Sequence, residues 1–218
     1  MKRKLIIGVS LFALAVAIIG SGVLYAVFSD SQTASNNAFT TGTLLLQVGS
    51  ASPMTEHITV NGMKPGDTGS SANWQLQNTG SINGDLSVGV GTITNNENTV
   101  NSAEAAVPDK TPETGELGAN LKVAFWVDKD NSGTWTSGDY YLSSAGSAVA
   151  WASGTSLPAA AYDALDNYGG KTWTNVLSNV APGSFGYFKA EYLLPSSTGN
   201  IVQSDSAIFD IVFTLNQH

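Results

Sequence analysis

Ala207-Ile208-Phe209-Asp210-Ile211-Val212-Phe213-Thr214-Leu215 reads with a period of two. Ala207, Phe209, Ile211, Phe213 and Leu215 share one face. Asp210 and Thr214 fall on the other, with Ile208 and Val212 beside them. Successive side chains of an extended strand point to opposite sides, so this alternation predicts a strand. Apolar residues on both faces place it near or inside a sandwich core. The same pattern recurs upstream. Leu86, Val88 and Val90 alternate with Ser87, Gly89 and Gly91. In 185–194, Phe188, Ala190 and Tyr192 face one way and Tyr187, Lys189 and Glu191 the other. Further strands are predicted over 43–48, 57–60, 72–77, 121–127, 140–142 and 172–176.

Gly, Ser, Thr and Asn fill the intervals between these strands, which is the composition of turns. Helix is scarce. The best candidate is 156–165, where Ser156 suits an N-cap, Pro158 a first turn and the alanines a helix interior, with Gly169-Gly170 ending it. Residues 94–118 are polar, contain Pro108 and Pro112, and carry four glutamates, so a long surface loop is expected there. The expected fold is all-β, a jelly-roll-like β-sandwich with short helices in loops.

The chain carries nine Lys and Arg against seventeen Asp and Glu, a formal charge of −8, and no cysteine. The acidic balance argues against a nucleic-acid partner, and the missing cysteine removes disulfides, thiolate metal sites and a cysteine nucleophile. Lys2, Arg3 and Lys4 precede an apolar run over 5–25 that ends among small residues. A basic start, an apolar centre and a small-residue end make a secretory signal, here expected over 1–26 with cleavage between Ala26 and Val27. Membrane contact is expected only if that segment is retained. Without its three cations the remainder holds six basic against seventeen acidic groups, a charge of −11. The expected destination is the exterior, as matrix or on the cell surface.

Signals for catalysis are thin. His57 and His218 are the two histidines, and neither a His-Glu-x-x-His pattern nor a Gly-x-Ser-x-Gly elbow is present. No catalytic residue is assigned. Asp128-Lys129-Asp130-Asn131-Ser132-Gly133-Thr134-Trp135-Thr136-Ser137-Gly138-Asp139 has the spacing of a calcium loop, with side-chain oxygens at positions 1, 3, 5, 9 and 12 and glycine at 6. Asp128, Asp130, Ser132, Thr134 and Asp139 are the candidate ligands, and calcium is the one cofactor considered. The flanks read as strands, so a hairpin loop closed by Asp and Asn side chains accounts for the same residues.

Residues 26–46, Ala-Val-Phe-Ser-Asp-Ser-Gln-Thr-Ala-Ser-Asn-Asn-Ala-Phe-Thr-Thr-Gly-Thr-Leu-Leu-Leu, are similar to the start of the TasA/camelysin family of secreted biofilm-matrix fibre and surface pilus subunits. Met63-Lys64-Pro65-Gly66-Asp67, Trp74-Gln75-Leu76-Gln77-Asn78-Thr79-Gly80-Ser81, Ala181-Pro182-Gly183 and Gly199-Asn200-Ile201-Val202-Gln203-Ser204-Asp205 match further family stretches in order. The resemblance implies a jelly-roll subunit that forms extracellular fibres by donor-strand addition, with residues 27–40 as donor segment and 41–218 as the sandwich. Val27, Phe28, Ser29, Asp30, Asn37 and Phe39 are then the donor residues. The implied partner is the chain itself, head to tail, with a minor anchoring or seeding subunit as a second candidate. The camelysin branch carries a metalloprotease label, which makes protease activity the alternative, with His57 as its first ligand. A monomeric calcium-binding adhesin is the third reading.

Overall fold

A computed structural model describes residues 42–44, 46–48, 55–70, 74–100, 102, 104–107 and 113–218. The expected signal over 1–26, its cleavage point at Ala26 and Val27, and the donor segment 27–40 lie outside the described residues.

Two antiparallel sheets pack face to face. The first has the order β1 (Leu46–Val48), β4 (Trp74–Asn78), β12 (Phe185–Leu193), β7 (Lys122–Asp128), β8 (Tyr140–Leu142) and β9 (Ala148–Ala150). Two short strands join it: β3 (Thr68–Ser70) on β12, and β10 (Asp163–Ala164) on β7. The second has the order β11 (Thr172–Val180), β5 (Gly84–Val90), β13 (Ser206–Gln217) and β2 (Thr55–Asn61), with β6 (Thr94–Asn96) also on β13. The chain crosses between sheets repeatedly, so the core is made of residues distant in sequence.

The alternation at the C-terminus has the expected result. Ala207, Phe209, Ile211 and Phe213 of β13 are buried between the sheets. They meet Phe188 and Ala190 of β12 and Val123, Phe125 and Val127 of β7. Phe188 stacks on Phe125 at 5.8 Å and meets Phe213 edge-on at 5.1 Å. Such pairs add to the stabilisation of about 1.5–3 kcal/mol from burying each large apolar side chain. The middle of strand β7 has no exposed face, because Ala124 and Trp126 on its reverse side are buried as well. There Ala124 and Trp126 pack with Trp135, Tyr141, Leu157 and Ala161 in a second, smaller cluster.

Two expectations need correction. Residues 156–165 do not form an α-helix. Ala159–Ala161 is one 3-10 turn, Asp163–Ala164 is the extended β10, and Leu165–Tyr168 is a second 3-10 turn. Helix propensity loses here to pairing along β7: Asp163 and Ala164 lie opposite Val123 and Lys122, and the Leu165 N–H donates to the Leu121 carbonyl at 2.9 Å. The described α-helix is instead the single turn α1 (Leu117–Asn120). The segment 94–118 is not wholly a surface loop either. It opens with β6 in the second sheet, buries Glu104 and ends in α1.

Candidate functional site: an open groove and two carboxylate clusters

Sheet edges are where one chain can add a strand to another. The four ends of the two sheet paths differ. Strands β1 and β9 have three residues each. Strand β11 is long, but its register slips twice, next to Asn175 and Asn179, both of which have positive φ (53° and 57°). Such bulges twist an edge away from a flat partner. Strand β2 has seven residues, pairs with β13 in unbroken register from Thr55 to Asn61, and has no strand on its other side among the described residues.

Among the described residues the sandwich is open beside β2. A cavity of about 330 Å³ lies between the sheets, lined by Val60, Met63, Trp74, Phe125, Ala190 and Phe209 among others. Ser70 of β3 is exposed at its margin. The turn from β2 to β3 holds the two sheets together at this end. Asp67 N–H donates to the Lys64 carbonyl at 2.9 Å, and the Asp67 carboxylate accepts from Lys64 N–H at 2.8 Å. Pro65 presets the first central position, and Gly66 takes φ 95°, which disfavours other residues. Gly66 N–H then donates to the Leu194 carbonyl at 2.8 Å, and Leu194 N–H donates to the Asp67 carbonyl at 2.8 Å. The Lys-Pro-Gly-Asp stretch is thus a structural clasp.

The Asn78 stretch is structural too. Asn78 is buried, and its Nδ2 donates at 2.8 Å to the carbonyls of both Ile82 and Val180. Its Oδ1 accepts from Gly80 N–H at 3.0 Å. One amide therefore ties the end of β4 to the end of β11.

The calcium-loop residues come together. Oxygens of Asp128, Asp130 and Asp139 lie within 4.8 Å of one another. These oxygens already have donors. Asp128 accepts from Ser132 N–H at 3.1 Å and Gly133 N–H at 2.9 Å, and it is in a buried ion pair with Lys189. Asp139 accepts from Lys129 N–H at 2.9 Å and Thr136 N–H at 2.7 Å. The Ser132 hydroxyl and N–H hold the Asp130 carboxyl below its usual value. The Ser132 hydroxyl donates to the Thr134 carbonyl at 3.0 Å, and Thr134 is exposed. The Lys189 ammonium, 5.0 Å from the centre of the Trp126 ring, supplies positive charge at the head of the loop.

A second cluster has no counterpart in the sequence reading. Oxygens of Glu97, Glu104 and Asp205 lie within 4.8 Å of one another, and the Glu116 charge also acts on Glu97. Asp205 and Glu104 are buried. Asp205 Oδ2 accepts from the N–H groups of Glu116 at 2.6 Å and Leu117 at 3.1 Å, which fixes α1 to the start of β13. Glu104 accepts from the Ser204 hydroxyl at 3.0 Å. Asp205 Oδ1 and both Glu97 carboxylate oxygens are sealed from solvent, and the two carboxyl groups hydrogen-bond each other, with Glu97 as the protonated partner. Burial first, then the negative charges of Asp205, Glu104 and Glu116, push Glu97 up to about 7. Burial raises Asp205 as well. The four acids are spread from 97 to 205, so spacing could not reveal them.

His57 lies on β2 opposite Asp210 of β13. His218 meets Asp85 at 2.8 Å. Among the described residues, His218 belongs to neither acidic cluster.

Residues 1–144, about two-thirds of the chain, match the model of a family described as camelysin metallo-endopeptidase. No curated protein and no solved structure matches the chain. The family match covers the start of the chain, the clasp at Lys64–Asp67 and the Asn78 stretch, and on that match the chain belongs to the camelysin family.

Proposed function

We propose that the protein is a secreted structural subunit that polymerises into extracellular fibres by strand donation. Residues 27–39 of one copy are the donor, and the edge of β2 with its adjoining groove is the acceptor in the next. The observation that carries this reading is the coincidence, among the described residues, of the longest regular free edge with an open apolar cavity. An added strand would find unpaired main-chain groups along β2 and a pocket for side chains such as Phe28 or Phe39. A head-to-tail contact of this kind need not close on itself, and repetition then gives a filament. The test is deletion of 27–39. The truncated protein is expected as dispersed particles by electron microscopy under conditions where the mature chain forms fibres. Normal fibres from the truncated protein would overturn strand donation.

The family description favours a second reading, a metallo-endopeptidase. Protease zinc is held by nitrogen or sulfur together with carboxylate oxygen. Both acidic clusters of the described residues consist of carboxylates alone, and the chain has no cysteine and two widely separated histidines. These donors do not fit such a zinc centre, and no catalytic step is derived through one. Chelator-sensitive cleavage of casein by the purified protein, abolished by His57→Ala, would establish the protease instead. Calcium at the 128–139 loop belongs to the adhesin reading, where it would compete with Lys189 for Asp128.

A further inference from the structure

We propose that Lys189 and Asp128 are a self-modification site, where the lysine amine and the carboxyl group condense to an amide bond that ties β12 to β7. The strand register brings them together. Lys189 lies opposite Trp126 and Tyr187 lies opposite Asp128, so Lys189 and Asp128 are diagonal neighbours on one face of paired strands. Both side chains are buried, and Lys189 Nζ is in direct contact with Asp128 Oδ2. Lysine rarely ends this way, because its stem normally carries the ammonium to solvent. The Trp126 ring lies beside it, with its centre 5.0 Å from Nζ. Nucleophile and electrophile are thus held together in a site shut off from water, which is the arrangement that proximity catalysis requires.

The 128–139 loop supplies the remaining parts. Ser132 N–H donates to Asp128 Oδ1 at 3.1 Å, and Gly133 N–H donates to Oδ2 at 2.9 Å. Two fixed backbone donors on one carboxyl group stabilise negative charge as it develops there. Asp139, also buried, has an oxygen within 4.8 Å of one of Asp128, a gap that a proton crosses through a single water. The Asp139 carboxylate is itself held in place by Lys129 N–H at 2.9 Å and Thr136 N–H at 2.7 Å.

A proton passes from the Lys189 ammonium to Asp128 Oδ2, leaving a neutral amine beside a neutral carboxyl group. Burial lowers the cost of that transfer, since two desolvated charges are replaced by none. The Nζ lone pair then attacks Asp128 Cγ, the C–N bond forms, and the carbonyl electrons move onto Oδ1 against the Ser132 N–H. The nitrogen gives up a proton through Asp139 to the Oδ2 hydroxyl. The bond from Cγ to Oδ2 breaks, water leaves, and the carbonyl at Oδ1 re-forms. One ammonium and one carboxylate become one amide and one water, with no oxidant, reductant or cofactor. The bond joins residues 61 apart in a chain without cysteine, and such a cross-link stabilises as a disulfide does, by restricting the unfolded chain. An unreacted chain holds the two groups as an ion pair, and a reacted chain holds them as a covalent tie.

The test is mass spectrometry of the purified full-length protein, denatured after storage at neutral pH. A loss of one water, about 18 Da, from the mass of its sequence is expected. Trypsin should then release 123–129 joined to 172–218, with the chain uncut at Lys189. Lys189→Arg keeps a cation for Asp128 but has no amine to form this bond. It should keep the full mass of its sequence, release 123–129 free, and melt below the reacted parent. The mass and the digest of the parent need no variant, so they decide the matter even where Lys189→Arg fails to fold. Three results would overturn the proposal: a parent mass with no water lost, a parent that trypsin cuts completely at Lys189, or the same loss of water in Lys189→Arg.

Discussion

Lys189 is the residue on which the reading of the 128–139 loop turns. It projects from the side of β12 away from the main core, is almost fully buried, and meets Asp128, which is fully buried. Replacing Lys189 with Met leaves a carboxylate sealed in the protein with its countercharge gone. Losses of about 3–5 kcal/mol follow when one partner of such a pair is removed. Lys189→Met should lower unfolding stability by that order in denaturant titrations. Removing both charges in Lys189→Met/Asp128→Asn should recover a large part of it, because the uncompensated charge is the main cost. A single variant as stable as the parent would show that the pair contributes nothing. The loop's acidic spacing was legible in the sequence, and the acids do converge. Their principal partner was not legible, because Lys189 is 61 residues from Asp128 and becomes its neighbour only through the β7–β12 pairing. The Glu97 cluster was hidden for the same reason.

At the scale of elements, period-two patterns gave β12 and β13 their faces correctly, since each presents one side to the core. Strand β7 was legible only as an apolar run, because both its faces are covered. The 156–165 segment misled because propensity and capping residues are local, whereas the hydrogen bonds of Asp163–Ala164 go to another strand. Short turn motifs were legible as a resemblance, and their physical role needed coordinates. Asn78 shows this best: its side-chain amide is placed where three backbone groups from two connections converge. Asn78→Ala would leave the Ile82 and Val180 carbonyls and the Gly80 N–H short of partners. Loss of about 2–4 kcal/mol is expected, at about 1–3 kcal/mol for each buried group left unsatisfied and with some groups rehydrated. Urea titration of the two proteins checks this, and a loss below about 1 kcal/mol would mean that water replaces the amide at that junction.

For the whole molecule, strand donation makes each subunit both donor and acceptor, and the two ends can be disabled separately. Ser70 is exposed where β3 borders the groove, so Ser70→Trp adds a large ring at the groove mouth without entering the packed core. Such a subunit keeps its own 27–39 segment and should still donate it. It should not accept one. Mixed into unmodified protein, it adds to an open acceptor and offers none in return, which ends growth at that point. Head-to-tail chains are sensitive to such terminators, since one defective subunit stops one filament. Ser70→Trp at about one part in twenty should therefore shorten fibres severalfold in electron micrographs, while the unfolding midpoint of the variant alone stays near that of the parent. The 27–39 deletion variant, which can accept but not donate, should terminate at the opposite end. Equal amounts of the two variants should pair through the one intact interface and stop as dimers in sedimentation. Fibres of normal length in the presence of Ser70→Trp would move the acceptor away from the β2 groove.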